Sequence, residues 1–127
     1  MITITPLYAA MVGLLFLALS LNVIRIRFKH RVSVGDGGAK EVVKAMRVQA
    51  NCAEYAPLTL LLMTLSELQG APGWLLHGLG LCLLAGRLAH AYGFGRTPQV
   101  VGLRQWGMYL TFIGLLTASL SCLALLF

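Results

Sequence analysis

The chain has 127 residues, 58% of them hydrophobic and only 11% charged, with a net charge of +6. Soluble domains carry about 25% charged residues, and one this small cannot hide so much apolar surface, so the composition excludes an ordinary soluble protein and points to one membrane domain. The cations flank apolar runs instead of forming a continuous basic patch, which argues against a nucleic-acid partner and reads as a topology signal.

In chain order, residues 1–24 contain no charged side chain, and "PLYAAMVGLLFLALSLNVI" is long enough to cross a hydrocarbon core of roughly 30 Å. No basic segment precedes it and no small-x-small cleavage site follows, so the reading is a retained first span, not a signal peptide. A first helix is predicted over about 4–29. "RIRFKHRVSVGDGGAKEVVKAMR" follows, dense in Arg and Lys and broken at "GDGG". A second helix is predicted over about 40–68, with a kink at Pro57, where the backbone N–H is missing and the ring crowds the preceding turn. "GAPG" turns the chain into a third helix over about 72–93, and "RTPQ" leads to a fourth over about 99–126, uncharged after Arg104. The predicted fold class is all-α: an integral membrane four-helix bundle, antiparallel because the links are short, in a single domain spanning 1–127.

Charge gives an orientation. The first loop holds Arg25, Arg27, Lys29, Arg31, Lys40 and Lys44; Arg87, Arg96 and Arg104 border the third; the second has only Glu67. The positive-inside rule then places loops one and three in the cytoplasm and both termini on the other side, periplasmic if, as the minimal loops imply, this is a bacterial inner membrane protein. Cys52, Cys82 and Cys122 lie in apolar stretches without a CxxC or metal-ligand spacing and read as small buried hydrophobes, so no metal is expected.

The unusual chemistry lies in "RVQANCAEYAPLTLLL", residues 47–62. At a helical period Arg47, Asn51, Glu54 and Leu58 fall within about 60° of one another, flanked by Lys44 and Tyr55. Arg47 and Glu54 are two turns apart with Asn51 between them, so no simple i,i+4 pair is expected. The third helix adds Arg87 and His90, with Phe94 continuing that face; Arg104 opens the fourth helix, and Arg27 ends the first. Arg87 is a candidate interhelical partner for Glu54, and His90 alone reads as an ordinary helix-end histidine. His30 and His77 read as loop or interface residues, and the loop-one cations as lipid contacts. Four arginines with one carboxylate at one depth nevertheless leave positive charge uncompensated, which is costly when buried and which an anionic ligand would relieve. No serine triad, metal cluster or phosphate loop competes for a role.

These residues carry a family resemblance. "RVQANCAEYAPL" resembles the signature of the MAPEG family, the membrane-associated proteins of eicosanoid and glutathione metabolism, and "GRLAHAYGFG" resembles its third-helix segment, especially in the prostaglandin-E synthase branch and bacterial members. The resemblance implies a homotrimer of four-helix bundles with a glutathione site between subunits, open to the cytoplasm. It implies glutathione contacts from Arg47, Gln49, Asn51, Glu54 and Tyr55, from Arg27 (or Arg25 in the alternative register), and from Arg87 and His90. Arg104 resembles the arginine held near the glutathione sulfur, with Arg27 as the second candidate. Where members often carry a tyrosine one turn after the His90 position, this chain has Phe94. The function implied is activation of the glutathione thiolate for conjugation to, or peroxide reduction of, a lipophilic small-molecule substrate arriving from the surrounding membrane lipid. A non-catalytic scaffold of the same fold is one alternative; a small multidrug exporter is another, disfavoured by the uncharged first span and by arginines that repel cations.

The orientation has a direct check. With Asp36→Cys and Pro72→Cys placed separately in a background lacking the native cysteines, an impermeant external thiol reagent on intact cells should label position 72 and spare position 36; the reverse pattern inverts the topology.

Overall fold

The computed structural model describes residues 1–127 and contains four helices: α1 (Thr5–His30), α2 (Lys40–Leu68), α3 (Gly73–Gly95) and α4 (Val101–Ala124). There are no strands. Contacts at the two ends show that successive helices run antiparallel. At one end the Arg27 guanidinium meets the Met46 sulfur, Lys44 donates to the Arg96 carbonyl and Thr97 Oγ1, and Arg104 lies over Phe94. At the other, Glu67 meets the start of α1, Tyr8 meets His77, and Ser66 meets Cys122.

The helix ends show how the sequence stops and starts each element. α1 has Pro6 in its first turn but no capping side chain of its own. The Glu67 carboxylate caps it from the end of α2, accepting from the backbone N–H groups of Thr3 (2.6 Å), Ile4 (2.7 Å) and Thr5 (2.8 Å). Free N–H groups at a helix start carry partial positive charge, so a carboxylate there is doubly matched. α2 ends in a Schellman arrangement: Ala71 N–H donates to the Ser66 carbonyl (2.9 Å) and Gly70 N–H to the Glu67 carbonyl (3.1 Å). That geometry needs a left-handed residue, supplied by Gly70 at φ +88°. α2 continues as helix through Pro57.

α1 and α4 are each long and apolar enough to cross a bilayer alone. Their outward side chains, among them Leu14, Leu17, Leu21, Ile113, Leu116 and Leu120, are half exposed or more. The interior is thin and divided: Tyr8, Met63, Leu79 and Ala118 pack at the Glu67 end, Val12, Cys52, Ala56 and Leu83 at mid-depth, and Ile26, Val42 and Ala45 at the arginine end. A bundle with so many large apolar side chains on its outer surface suits a lipid solvent, where packing and polar contacts, not water exclusion, hold helices together.

α3 and α4 make the most extensive contact, and small residues explain why. On α4 the buried positions are Gly107, Thr111, Gly114, Ala118 and Ser121, spaced by three and four; α3 offers Gly86 and Gly93. A Cβ added to Gly107 would lie 2.5 Å from the His90 backbone nitrogen and 2.6 Å from the Gly86 carbonyl oxygen. One added to Gly93 would lie 2.6 Å from the Arg104 nitrogen. The two backbones touch, and nothing flexible stands between them to yield.

Gly107→Ala should therefore lower the stability of the detergent-solubilised protein by about 2 kcal/mol or more, the cost of forced overpacking. Gly13→Ala, where the added methyl meets nothing within 4 Å, should leave the thermal midpoint unchanged or raise it. Equal losses in both would remove the close-contact explanation.

A candidate anion site built from the arginine layer

Arg87 is the centre of the polar layer. It is 1% exposed, the largest fully buried side chain in the molecule. Its Nη1 donates to Asn51 Oδ1 on α2 (2.5 Å), its Nε to Thr111 Oγ1 on α4 (3.1 Å), and its Nη2 approaches the Met108 sulfur (3.3 Å). The guanidinium carbon lies 5.9 Å from the centre of the Tyr55 ring. Thr111 passes the polarity on, donating to the Gly107 carbonyl at 2.8 Å. Every partner of this cation is neutral.

The candidate pair between Arg87 and Glu54 does not form. Glu54 instead meets Arg47 of its own helix, with 3.7 Å between Nη1 and Oε1. The contact is not an i,i+4 pair: the two share a face at i and i+7, and the long arginine side chain spans the two turns between them. Both side chains are more than half exposed on the outside of the bundle.

The other expected site residues divide among separate contacts. Gln49 turns toward α1, its Nε2 donating to Ser20 Oγ at 3.4 Å. Arg27 donates to the Met46 sulfur at 3.0 Å, while its Nη1 is buried with no hydrogen-bond partner. Tyr55 packs edge-on to Phe112, ring centres 5.5 Å apart. His90 is 4% exposed and stacks on Phe94, centres 5.7 Å apart. Arg104 is exposed; its guanidinium sits 4.1 Å above the centre of the Phe94 ring and donates to Gln99 Oε1 at 3.1 Å. Arg25 bonds only Asn22, one turn back on α1. The helices thus bring together Arg87 with Asn51 and Tyr55, and His90 with Phe94 and Arg104, while the Arg47–Glu54 pair stands outside.

Thr111 does not stand out in the sequence as a site residue. Its one signal is its place in the three-and-four spacing of small residues on α4, which marks the face turned to α3. His77, read as a loop or interface residue, bonds the Tyr8 hydroxyl through Nδ1 at 2.9 Å, far from the arginines.

Chemically, the layer offers guanidinium groups in excess over carboxylates, from the buried Arg87 to the exposed Arg104. Arg27 and Arg104 have no carboxylate partner, Arg87 has only neutral ones, and Arg27 keeps an unused buried donor. Such a set fits an anion, and guanidinium forks suit carboxylates in particular.

A helical membrane bundle with an arginine-rich layer at one end is the class that fold and site define. Residues 5–124 match the MAPEG family, and the chain belongs to it. It is similar to the inner membrane protein YecN of Escherichia coli strain K12, 41% identical over 113 residues that cover 89% of this chain and 85% of that protein. It is also similar to leukotriene C4 synthase of Cavia porcellus, 36% identical over 85 residues, 64% of this chain and 54% of that one.

Proposed function

We propose that this protein is a glutathione-dependent enzyme of the bacterial inner membrane that conjugates glutathione to, or uses it to reduce a peroxide on, a lipophilic substrate. The observation that carries the reading is the imbalance of the polar layer: Arg27, Arg87 and Arg104 have no carboxylate partner, and the single carboxylate, Glu54, is already beside Arg47. Family membership and the likeness to a protein named leukotriene C4 synthase support it.

Glutathione has two carboxylates, an ammonium and a thiol, and supplies the thiolate as nucleophile. Arg47 and Arg27 bind the carboxylates, and Glu54 receives the ammonium as Arg47 turns away. Arg87 is too deeply covered to be the first contact. It works from behind, holding the Asn51 amide by its oxygen and keeping positive potential across the layer. Arg104, exposed at the rim, lies beside the sulfur and favours loss of its proton, since a guanidinium lowers the pKa of a neighbouring thiol. The lipophilic partner arrives from the bilayer along the apolar outer faces. The arginine end faces the cytoplasm.

A homotrimer completes the site. Val43, Arg47, Glu54, Leu58, Leu61, Leu65 and Leu68 form an exposed seam along α2 with three-, four- and seven-residue spacing. An ion pair left facing lipid is expensive, and a second copy covers it; the number three rests on the family resemblance. Native mass measurement in nanodiscs should give three chains, and a monomer with full glutathione affinity would remove the intersubunit site.

The mechanism is tested by paired substitutions. Arg104→Leu should weaken glutathione binding modestly but raise the pKa of the bound thiol toward the free value of about 8.5, each unit amounting to about 1.4 kcal/mol between protonation states. Glu54→Gln should weaken binding more and move the thiol less. Thiolate absorbance against pH and a binding isotherm read both. If Arg27→Leu raises the pKa and Arg104→Leu does not, the sulfur lies by α1; if neither does, the site does not activate glutathione through these arginines, and the scaffold reading gains.

A further inference from the structure

Arg104 is poorly secured for a residue that must hold charge at one point. It stands in the first turn of α4, exposed, with no acidic partner; its polar contact is Gln99, itself exposed in the link before the helix. A long side chain so placed samples many rotamers, and an unaimed cation stabilises a thiolate poorly. What limits it is an aromatic face. The guanidinium carbon lies 4.1 Å from the centre of the Phe94 ring, the closest of the cation–ring contacts in the molecule. Phe94 is in turn stacked on the buried His90, ring planes 26° apart. Behind the stack, the α3 and α4 backbones touch at Gly93, where the Arg104 amide nitrogen leaves no room for a Cβ. The ring, its support and the backbone that carries the arginine are thus fixed to one another.

We infer that Phe94 is a positioning residue, a platform whose π-face aims the Arg104 guanidinium at the place where the thiolate forms. The ring face is negative and the cation is held by that charge as well as by contact. A phenyl ring suits this role because its π-face alone attracts the cation. This assignment rests on the proposed role of Arg104. The charged or titratable groups near the stack are His90 and Arg87 on α3 and Tyr109, which shares the groove beside Arg104 on α4. None is altered by the variants below.

The test uses the full-length protein in nanodiscs. In the ligand-free state, the ring current of Phe94 should shift the Arg104 guanidinium protons upfield of those of the other exposed arginines in NMR spectra of 15N-arginine-labelled protein, and Phe94→Leu should abolish the shift. With glutathione bound, Phe94→Leu should raise the thiol pKa by about half to one unit, a three- to tenfold loss of thiolate at neutral pH, with glutathione affinity changed less than twofold; Phe94→Tyr should restore the pKa. Fluorinated phenylalanines incorporated at position 94 keep the ring's shape while draining its negative face, so successive fluorines should raise the pKa stepwise even where Phe94→Leu fails to fold. A ring-current shift absent from the native protein overturns the stack. If Arg104→Leu raises the thiol pKa while neither Phe94→Leu nor fluorination does, Phe94 is packing only and the glutathione reading stands. If Arg104→Leu leaves the pKa unmoved, the reading of Arg104 falls, and this inference falls with it.

Discussion

The structure depends on the direct contact between the α3 and α4 backbones. Gly86, Gly93 and Gly107 remove the side chains that would otherwise hold the helices apart, so that peptide groups of one helix meet those of the other. In lipid this is an effective way to join helices, because apolar side chains gain little by leaving hydrocarbon for protein while close backbones gain dispersion contacts along their length. The polar layer follows from it. Thr111 reaches the Arg87 Nε only because α4 lies this close, and Arg104 arrives above Phe94 for the same reason.

That contact also explains how a buried arginine is tolerated. Arg87 has no counter-ion, yet three neutral acceptors on two helices and an aromatic face surround it. The cation is solvated by the protein instead of being paired. A carboxylate would neutralise it and end the positive field at this depth; amide, hydroxyl and thioether partners leave the field intact for the rim of the bundle. The protein keeps charge available by choosing partners that do not cancel it, and the seam between α3 and α4 supplies two of them, Thr111 and Met108.

The fold class is legible because it is written in runs. Four apolar stretches divided by "GDGG", "GAPG" and "RTPQ" leave little choice but four helices, and the signature at residues 47–58 points to the family. Pairings are harder to read. Arg47 and Glu54 lie outside the i,i+4 rule, and only side-chain reach along a shared face shows that they meet at i and i+7. Opposite charge matches Arg87 to Glu54, whereas Thr111, part of its real environment, becomes visible only once α4 is known to lie against α3. Phe94 draws notice in the sequence for the hydroxyl it lacks. Its ring face, the part that touches Arg104, has no signature in a one-dimensional pattern, because the arginine stands ten residues away across a turn.

At the opposite end, the carboxylate that caps α1 belongs to Glu67, in the last turn of α2. Until the chain as far as Glu67 is in place, the leading amide groups of α1 have no carboxylate to cap them. The start of α1 is thus completed by the end of α2, so the two helices close as one hairpin and α1 by itself lacks that polar closure.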